Sequence, residues 1–359
     1  MTQRTATGRL PASPPVFERL LIVGLGSIGQ RHARVARHLF PGATIAALRH
    51  RQTEDATPPG IDDVFWTVED AIAFAPQAAV IASPATAHLS LAEQLADAGI
   101  PMLIEKPIAA SVAGVQRVVD ACSARGIPLL TGYNLRFLPS LAYFRSRIRD
   151  GAVGTVLSVR ADVGQHLPDW RPGMDYRRGV SARAELGGGA LLELSHEFDY
   201  LRWTLGDARW VSAVTARAST LDIDVEDTAF VTICFEASSG EGVLANVALD
   251  FVRRDTTRTC TVIGSETSLR WNGIRQTVER FLPGRGIWEE EFSAPVARDA
   301  TYEAEWKHFA ECVLQGALPL VDGRDGLAAV AIVDAARESA ASERRVSLSS
   351  LAAPARIPA

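Results

Sequence analysis

Residues 20–32 read Leu20-Leu21-Ile22-Val23-Gly24-Leu25-Gly26-Ser27-Ile28-Gly29-Gln30-Arg31-His32. Four apolar residues run directly into Gly-x-Gly-x-x-Gly, and a segment of helical periodicity follows to Leu39. The glycines permit a tight turn and close approach of a ligand to the backbone. The first N–H groups of the helix have no partner within it and favour a phosphate. Strand, turn and helix in this order predict a βαβ unit holding a dinucleotide on Gly24, Gly26, Ser27, Ile28 and Gly29.

The alternation continues past this unit. Apolar runs at 44–48, 64–66, 78–82, 102–104 and 129–132 are separated by helix-like segments at 68–74, 87–98 and 111–125, with Ser111 the expected N-cap of the last. The fold class is therefore α/β, with a Rossmann-like doubly wound parallel sheet over residues 18–132. After Tyr133 the texture changes. A helix at 140–149 and a strand at 155–163 lead into a long polar segment, 164–185, of little periodicity; such segments are usually functional. Gly187-Gly188-Gly189 opens an expected helix at 190–205. Strand-like stretches follow at 210–218, 228–236, 242–252, 257–263 and 268–271, then helices at 303–315 and 326–342. This predicts an α+β domain over 133–351 with a mainly antiparallel open sheet. Residues 1–17 and 352–359 read as flexible tails.

The bulk properties agree with two globular domains. The 359 residues are 47% hydrophobic and 22% charged, and the formal net charge is -5. That charge supplies no overall basic field for nucleic acid. No run approaches the roughly 20 apolar residues of a spanning helix, and the first residues lack a secretory core, so a soluble cytoplasmic protein is expected. Cys122, Cys234, Cys260 and Cys312 are widely spaced, which suits reduced thiols and offers neither a disulfide frame nor a metal site.

An NAD-preferring site usually carries an acidic residue about 20 residues after the last glycine. Here the strand ends Leu48-Arg49-His50-Arg51. Arg49 and Arg51 suit a 2′-phosphate through charge-assisted bonds, so NADP(H) is the expected cofactor, with NAD(H) as the second.

With these residues in hand, the chain resembles the Gfo/Idh/MocA family of sugar and cyclitol oxidoreductases across nearly its whole length. The resemblance rests on the glycine turn with Gln30-Arg31-His32, on Ser83-Pro84-Ala85-Thr86-Ala87-His88 and on Glu105-Lys106-Pro107. It also rests on Gly132-Tyr133-Asn134-Leu135-Arg136-Phe137-Leu138-Pro139, and on the glycine run followed by Glu193, His196 and Asp199. The family's usual last motif has an aspartate four residues before the histidine, whereas Glu193 stands three before His196. The string from Gln165 to Pro172, with Glu193 to Glu197, looks like a branch associated with bacterial surface-sugar biosynthesis. The resemblance implies that the open sheet face of the second domain packs against another subunit, as a homodimer or homotetramer.

Oxidising a secondary alcohol needs a hydride acceptor beside the carbon and a base beside the hydroxyl. Lys106 follows an inner strand, at the sheet edge where ligands collect in such folds. Glu193 and His196, three apart on one expected helix, share a face on which the carboxylate would orient the imidazole. Lys106, His196 and Glu193 are thus the catalytic candidates, with His196 as the proton-transfer residue, Lys106 as its electrostatic partner, and either of these two as the main base. Ser83, Pro84, His88 and Glu105 join Lys106 as further cofactor contacts, a capping or packing role fitting His88 equally well. His166, Trp170, Arg171 and Tyr176 on the polar segment, with Tyr133, Asn134, Arg136 and Asp199, are the substrate candidates, Arg136 fitting a structural ion pair equally well. The arginines favour a phosphorylated or nucleotide-linked sugar. His32 and His38 read as surface or packing residues.

Two other functions use the same fold: a dinucleotide-binding sensor without chemistry, and a reductase of a non-sugar carbonyl or imine. Lys106 and His196 favour the enzyme.

Overall fold

A computed structural model describes residues 16–50, 57–171, 173–236 and 242–348. In its first unit β1 (Arg19–Val23), α1 (Ser27–Leu39), β2 (Thr44–Leu48) and β3 (Asp63–Phe65) are followed by α2 (Val68–Ala73) and β4 (Ala78–Ile81). Then come α3 (His88–Asp97), β5 (Met102–Glu105), α4 (Val115–Ala124) and β6 (Leu129–Gly132). All six strands are parallel, in the order β3-β2-β1-β4-β5-β6. The order reverses between β1 and β4, so the crevice beyond their carboxyl ends is the ligand position of a doubly wound sheet.

The inner strands are apolar on both faces because helices cover both. Leu21 and Val23 face a core shared with α3 and α4, while Leu20 and Ile22 face one shared with α1. Phe17, in the expected N-terminal tail, is buried in the latter core against Phe40. The helix expected from Ser111 begins at Val115, because Gly114 at its N-cap takes the left-handed conformation with φ 85° and ends the preceding turn.

The second unit begins with α5 (Pro139–Arg149) and β7 (Val156–Gly164). Four short 3-10 turns occupy the polar segment, and α6 (Ala190–Glu193) and α7 (His196–Leu205) follow. The sequence predicts one helix here; Leu194 and Ser195 break it, with Leu194 at φ -100° and ψ 22°. The strands are β8 (Ala208–Ala216), β9 (Thr228–Phe235), β10 (Val243–Asp250), β11 (Thr257–Gly264), β12 (Ser268–Asn272), β13 (Thr277–Leu282) and β14 (Ile287–Ser293). The described chain ends with α8 (Ala300–Gln315), α9 (Gly323–Ser342) and β15 (Val346–Ser347). The sheet runs β14-β13-β12-β11-β7-β10-β9-β8-β15, with β7 and β10 parallel and the remaining pairs antiparallel. It is open and mixed, mainly antiparallel, as expected.

Strand alternation points Val159, Val231, Val247 and Val262 into the helix-covered core. Val214 and Phe230, paired across β8 and β9, lie on the opposite face, 68% and 61% exposed. In space α8 returns to the first unit. Trp306 and Phe309 are fully buried beside Leu20, Ile22 and Ala33. Truncating either aromatic to alanine should cost about 3–5 kcal/mol.

Candidate active site

The glycine turn has the shape its sequence implies. Gly24 sits at φ 90°, and its N–H donates to the Leu48 carbonyl at 3.0 Å. A Cβ on Gly29 would lie 1.9 Å from the Gly24 carbonyl oxygen, so α1 can start here only with glycine. Gly26, by contrast, would place a Cβ with no protein atom within 4 Å. No side chain caps α1 at this end. Open space above Gly26, with the uncapped N-terminus of α1 beneath it, fits a dinucleotide pyrophosphate. Ser83, at the end of β4, has a buried hydroxyl without a partner beside this turn, and its backbone is within contact of the Cβ that Gly24 lacks. Arg49 follows β2, with its guanidinium carbon 5.9 Å from the centre of the Trp66 ring. Arg51 lies outside the described residues.

Glu105, a cofactor contact on the sequence reading, is instead buried and committed to protein, and His88 takes the packing role that is the second of its two readings. Glu105 Oε1 accepts from His32 Nε2 at 2.7 Å, and Oε2 accepts from the Lys106 N–H at 3.0 Å. Trp306 Nε1 donates to His32 Nδ1 at 3.0 Å, which leaves Nε2 as the protonated nitrogen of a neutral ring. Burial acts to raise the Glu105 pKa, but the bond from His32 and the charge of Lys106 outweigh it and hold the carboxyl below its usual range. His32, read as surface or packing, thus supports the lysine through Glu105. His88 is held between the carbonyls of Ser83, at 2.8 Å, and Pro107, at 3.0 Å, and ties the β4 and β5 loops together. Burial lowers its pKa against the pull of those carbonyls.

Lys106 reaches the second unit. Its Nζ donates to the Glu193 carbonyl at 3.0 Å and lies 3.9 Å from Glu193 Oε1. The Glu193 carboxylate accepts from Ser181 Oγ at 2.7 Å, so it ties the polar segment to the break between α6 and α7. It makes no hydrogen bond with His196 among the described residues, and the break places the two on different helices. Glu193 therefore anchors Lys106 and Ser181 and does not orient the imidazole.

His196 opens α7 edge-on to Tyr133, with ring centres 5.5 Å apart. Its Nδ1 is buried without a partner. Burial first, then the charges of Arg258 and Lys106, push its pKa well below the ordinary histidine value. The imidazole is therefore neutral at physiological pH and able to accept a proton.

The other substrate candidates divide. Tyr133 is fully buried, and its hydroxyl donates to Ser195 Oγ at 3.3 Å. Asn134 donates to Thr301 Oγ1 at 2.9 Å. Arg136 grips Asp199 with two bonds, 3.0 and 2.6 Å, and reaches Asp325 at 3.1 Å, all within the interior. Asn134, Arg136 and Asp199 are thus structural, joining the end of β6 to α7, α8 and α9; a buried, paired charge has no side left for a sugar. On the polar segment, His166 lies 2.8 Å from Asp169, and Trp170 packs edge-on to Phe251 while donating to the Gln165 carbonyl. The Tyr176 hydroxyl accepts from the Asp222 N–H at 3.2 Å, and Arg171 is exposed. The glycine run brings this segment to the first unit: a Cβ on Gly187 would lie 3.2 Å from Ala85.

Arg258, Glu197 and Ser181 join the site without any mark in the local sequence. Arg258 Nε donates to Glu197 Oε1 at 2.9 Å, and Glu197 is fully buried in the first turn of α7. The Arg258–Glu197 and Ser181–Glu193 partners stand 61 and 12 residues apart, and local spacing carries no such signal.

Fold and site together define a two-domain, dinucleotide-dependent oxidoreductase. The chain belongs to the Gfo/Idh/MocA oxidoreductase family: residues 19–133 match its NAD-binding Rossmann fold and 145–348 its C-terminal alpha/beta domain. It is 27% identical to D-apiose dehydrogenase of Paraburkholderia graminis over 99% of this chain and 96% of that protein. It is also 27% identical to myo-inositol 2-dehydrogenase of Thermotoga maritima, over 92% and 98%. Among solved structures, GenD2 from gentamicin A biosynthesis, in complex with NAD, superposes with a TM-score of 0.78 at 26% identity, covering 96% of this chain and all of the other. Among the described residues no helix is long and apolar enough to cross a membrane.

Proposed function

We propose that the chain interconverts a secondary alcohol and a ketone on a sugar, cyclitol or sugar derivative. The observation that carries this reading is the meeting of Lys106, from the carboxyl end of β5, with the α6–α7 break that presents His196. Gly24, Gly26, Ser27, Ile28 and Gly29 would hold the dinucleotide, whose nicotinamide supplies the hydride acceptor. His196 takes the hydroxyl proton as the carbon–hydrogen bond breaks, and Lys106 stabilises the developing oxyanion. The products are ketone, reduced nicotinamide and protonated His196. The relatives act on apiose and inositol by name, which supports a polyhydroxylated substrate.

Arg49 beside the glycine turn supports NADP(H) over NAD(H). The exposed Val214 and Phe230 support a dimer or tetramer built through the open sheet. The test is to follow nicotinamide absorbance while sugars and cyclitols are screened with each cofactor. Reduction of NADP by at least one polyol supports the reading, and no reduction with either cofactor across the panel contradicts it.

A further inference from the structure

Arg258 is held in a way that simple neutralisation of Glu197 does not require. Its position in β11 pairs with Val163, whose side chain is buried, so both face the helix layer. Val163 immediately precedes Gly164, where the polar segment leaves the sheet. The stem passes beside Gly273, where a Cβ would lie 2.9 Å from Arg258 Cγ. An arginine that only neutralised a buried carboxylate would grip both oxygens with its fork. Here Nε alone donates, to Oε1 at 2.9 Å, and Oε2 is buried without a partner. The two terminal guanidinium nitrogens have no hydrogen-bond partner among the described residues, and the side chain is 21% exposed. Arg258 lies close enough to His196 to disfavour the imidazolium, as does Lys106. Glu197, which directly follows His196 in the first turn of α7, thus fixes the fork by its inner nitrogen and leaves the two outer nitrogens to another partner.

The geometry points to Arg258 as a specificity-determining residue that grips a carboxylate of the substrate end-on, so that the preferred sugar is an acid carrying its carboxylate near the reacting carbinol. Two parallel N–H···O bonds from a pre-positioned guanidinium suit a planar carboxylate. Lys106, also near His196, adds a second cation. The acidic group also partly cancels the two positive charges that hold His196 neutral, which makes the imidazole a stronger base once substrate is bound. This inference rests on the sugar-oxidoreductase reading for its chemistry, but binding tests it separately.

The probes are D-glucuronate and D-galacturonate against D-glucose and D-galactose, with D-glucose 6-phosphate as a phosphate arm. Each is titrated calorimetrically into the full chain loaded with NADPH, for wild type and Arg258→Met. Because Arg258→Met leaves Glu197 buried without its counter-charge, the double variant Glu197→Gln/Arg258→Met, with both charges removed, is titrated in parallel. A uronate should bind the wild type about 10- to 100-fold more tightly than its neutral counterpart, and the preference should disappear in both variants. Neutral sugars binding as well as the uronates, no uronate binding, a stronger preference for the phosphate, or a preference retained in the double variant overturns the assignment. Turnover is read in parallel samples holding the oxidised cofactor, NADP or NAD, by nicotinamide absorbance. Oxidation of neutral sugars without uronate preference removes Arg258's role and keeps the oxidoreductase, whereas uronate binding without turnover of any probe does the reverse.

Discussion

Lys106 Nζ donates to the Glu193 carbonyl at 3.0 Å, a bond between the first unit and the second. The lysine is therefore held by a backbone group, with the Glu193 carboxylate at 3.9 Å drawn toward Ser181. Lys106→Ala should lower kcat for sugar oxidation about 100- to 10,000-fold while dinucleotide affinity changes far less. Glu193→Gln keeps the carbonyl and should cost much less than Lys106→Ala. Steady-state kinetics on both variants check this ordering, and equal losses would make the carboxylate a reacting group.

His196 titrates below its ordinary value in the folded chain, because burial and two cations oppose its charge. The kcat/KM for oxidation should therefore stay level as pH falls through the usual histidine range near 6.5 and decline only at lower pH. Stability follows the same sign. The unfolded chain gains a proton below about pH 6.5 that the folded chain does not, so stability falls with acid by at most about 1.4 kcal/mol per pH unit from this group. In His196→Asn that part of the slope should vanish, as urea denaturation at several pH values will show.

Gly26 and Gly29 separate ligand binding from folding. A Cβ at Gly26, where φ is -66°, meets no protein atom, so Gly26→Ala should fold with an unchanged Tm in the absence of cofactor and lose dinucleotide affinity. At Gly29 the same Cβ overlaps the Gly24 carbonyl, so Gly29→Ala should lower the Tm of the free protein. Thermal melts without cofactor and with NADPH or NADH distinguish the two.

Arg136 and Asp199 form a buried ion pair at 2.6 Å. Arg136→Met strands Asp199 and should destabilise the fold by about 3–5 kcal/mol, and Asp199→Leu should act alike. Replacing both together should recover much of the loss. Urea unfolding of the two single variants and the double variant measures the coupling.

Glu305 on α8 is buried with neither carboxyl oxygen bonded, and burial together with Glu105 raises its pKa well above the usual value. The folded chain keeps that proton where the unfolded chain has lost it, so this group makes stability fall as pH rises above about 4.5. Glu305→Gln should be more stable than wild type at pH 8, with a smaller gain at pH 5, as urea unfolding at the two pH values will show.

The first sheet is legible in the sequence because a buried parallel strand is a continuous apolar run and glycines mark its turns. The glycine turn and Lys106 stand where local pattern puts them. The region after Tyr133 is less legible. Asn134 and Asp199 are polar residues beside or on α7, which reads as a binding site until their partners Thr301 and Arg136 are known, while the ion pair that Arg136 makes is one of the two readings its sequence context allows. His32 on an amphipathic helix carries no local sign of Glu105 and Trp306, which are 73 and 274 residues away. The helix break at Leu194 and Ser195 has neither glycine nor proline to announce it. Strand β14 escapes a reading of apolar runs, because it is an exposed edge strand rich in Glu.

The proposed chemistry needs Lys106 and His196 to act together on a hydroxyl beside a bound dinucleotide. Single-turnover reduction of the nicotinamide dinucleotide, NADP or NAD, by a sugar substrate, followed in wild type, Lys106→Ala, His196→Ala and the double variant, reads that cooperation. Each single variant should slow the step by at least about 100-fold, and the double variant should be little slower than either, as for residues acting as one unit. Near-normal reduction in both single variants would contradict it.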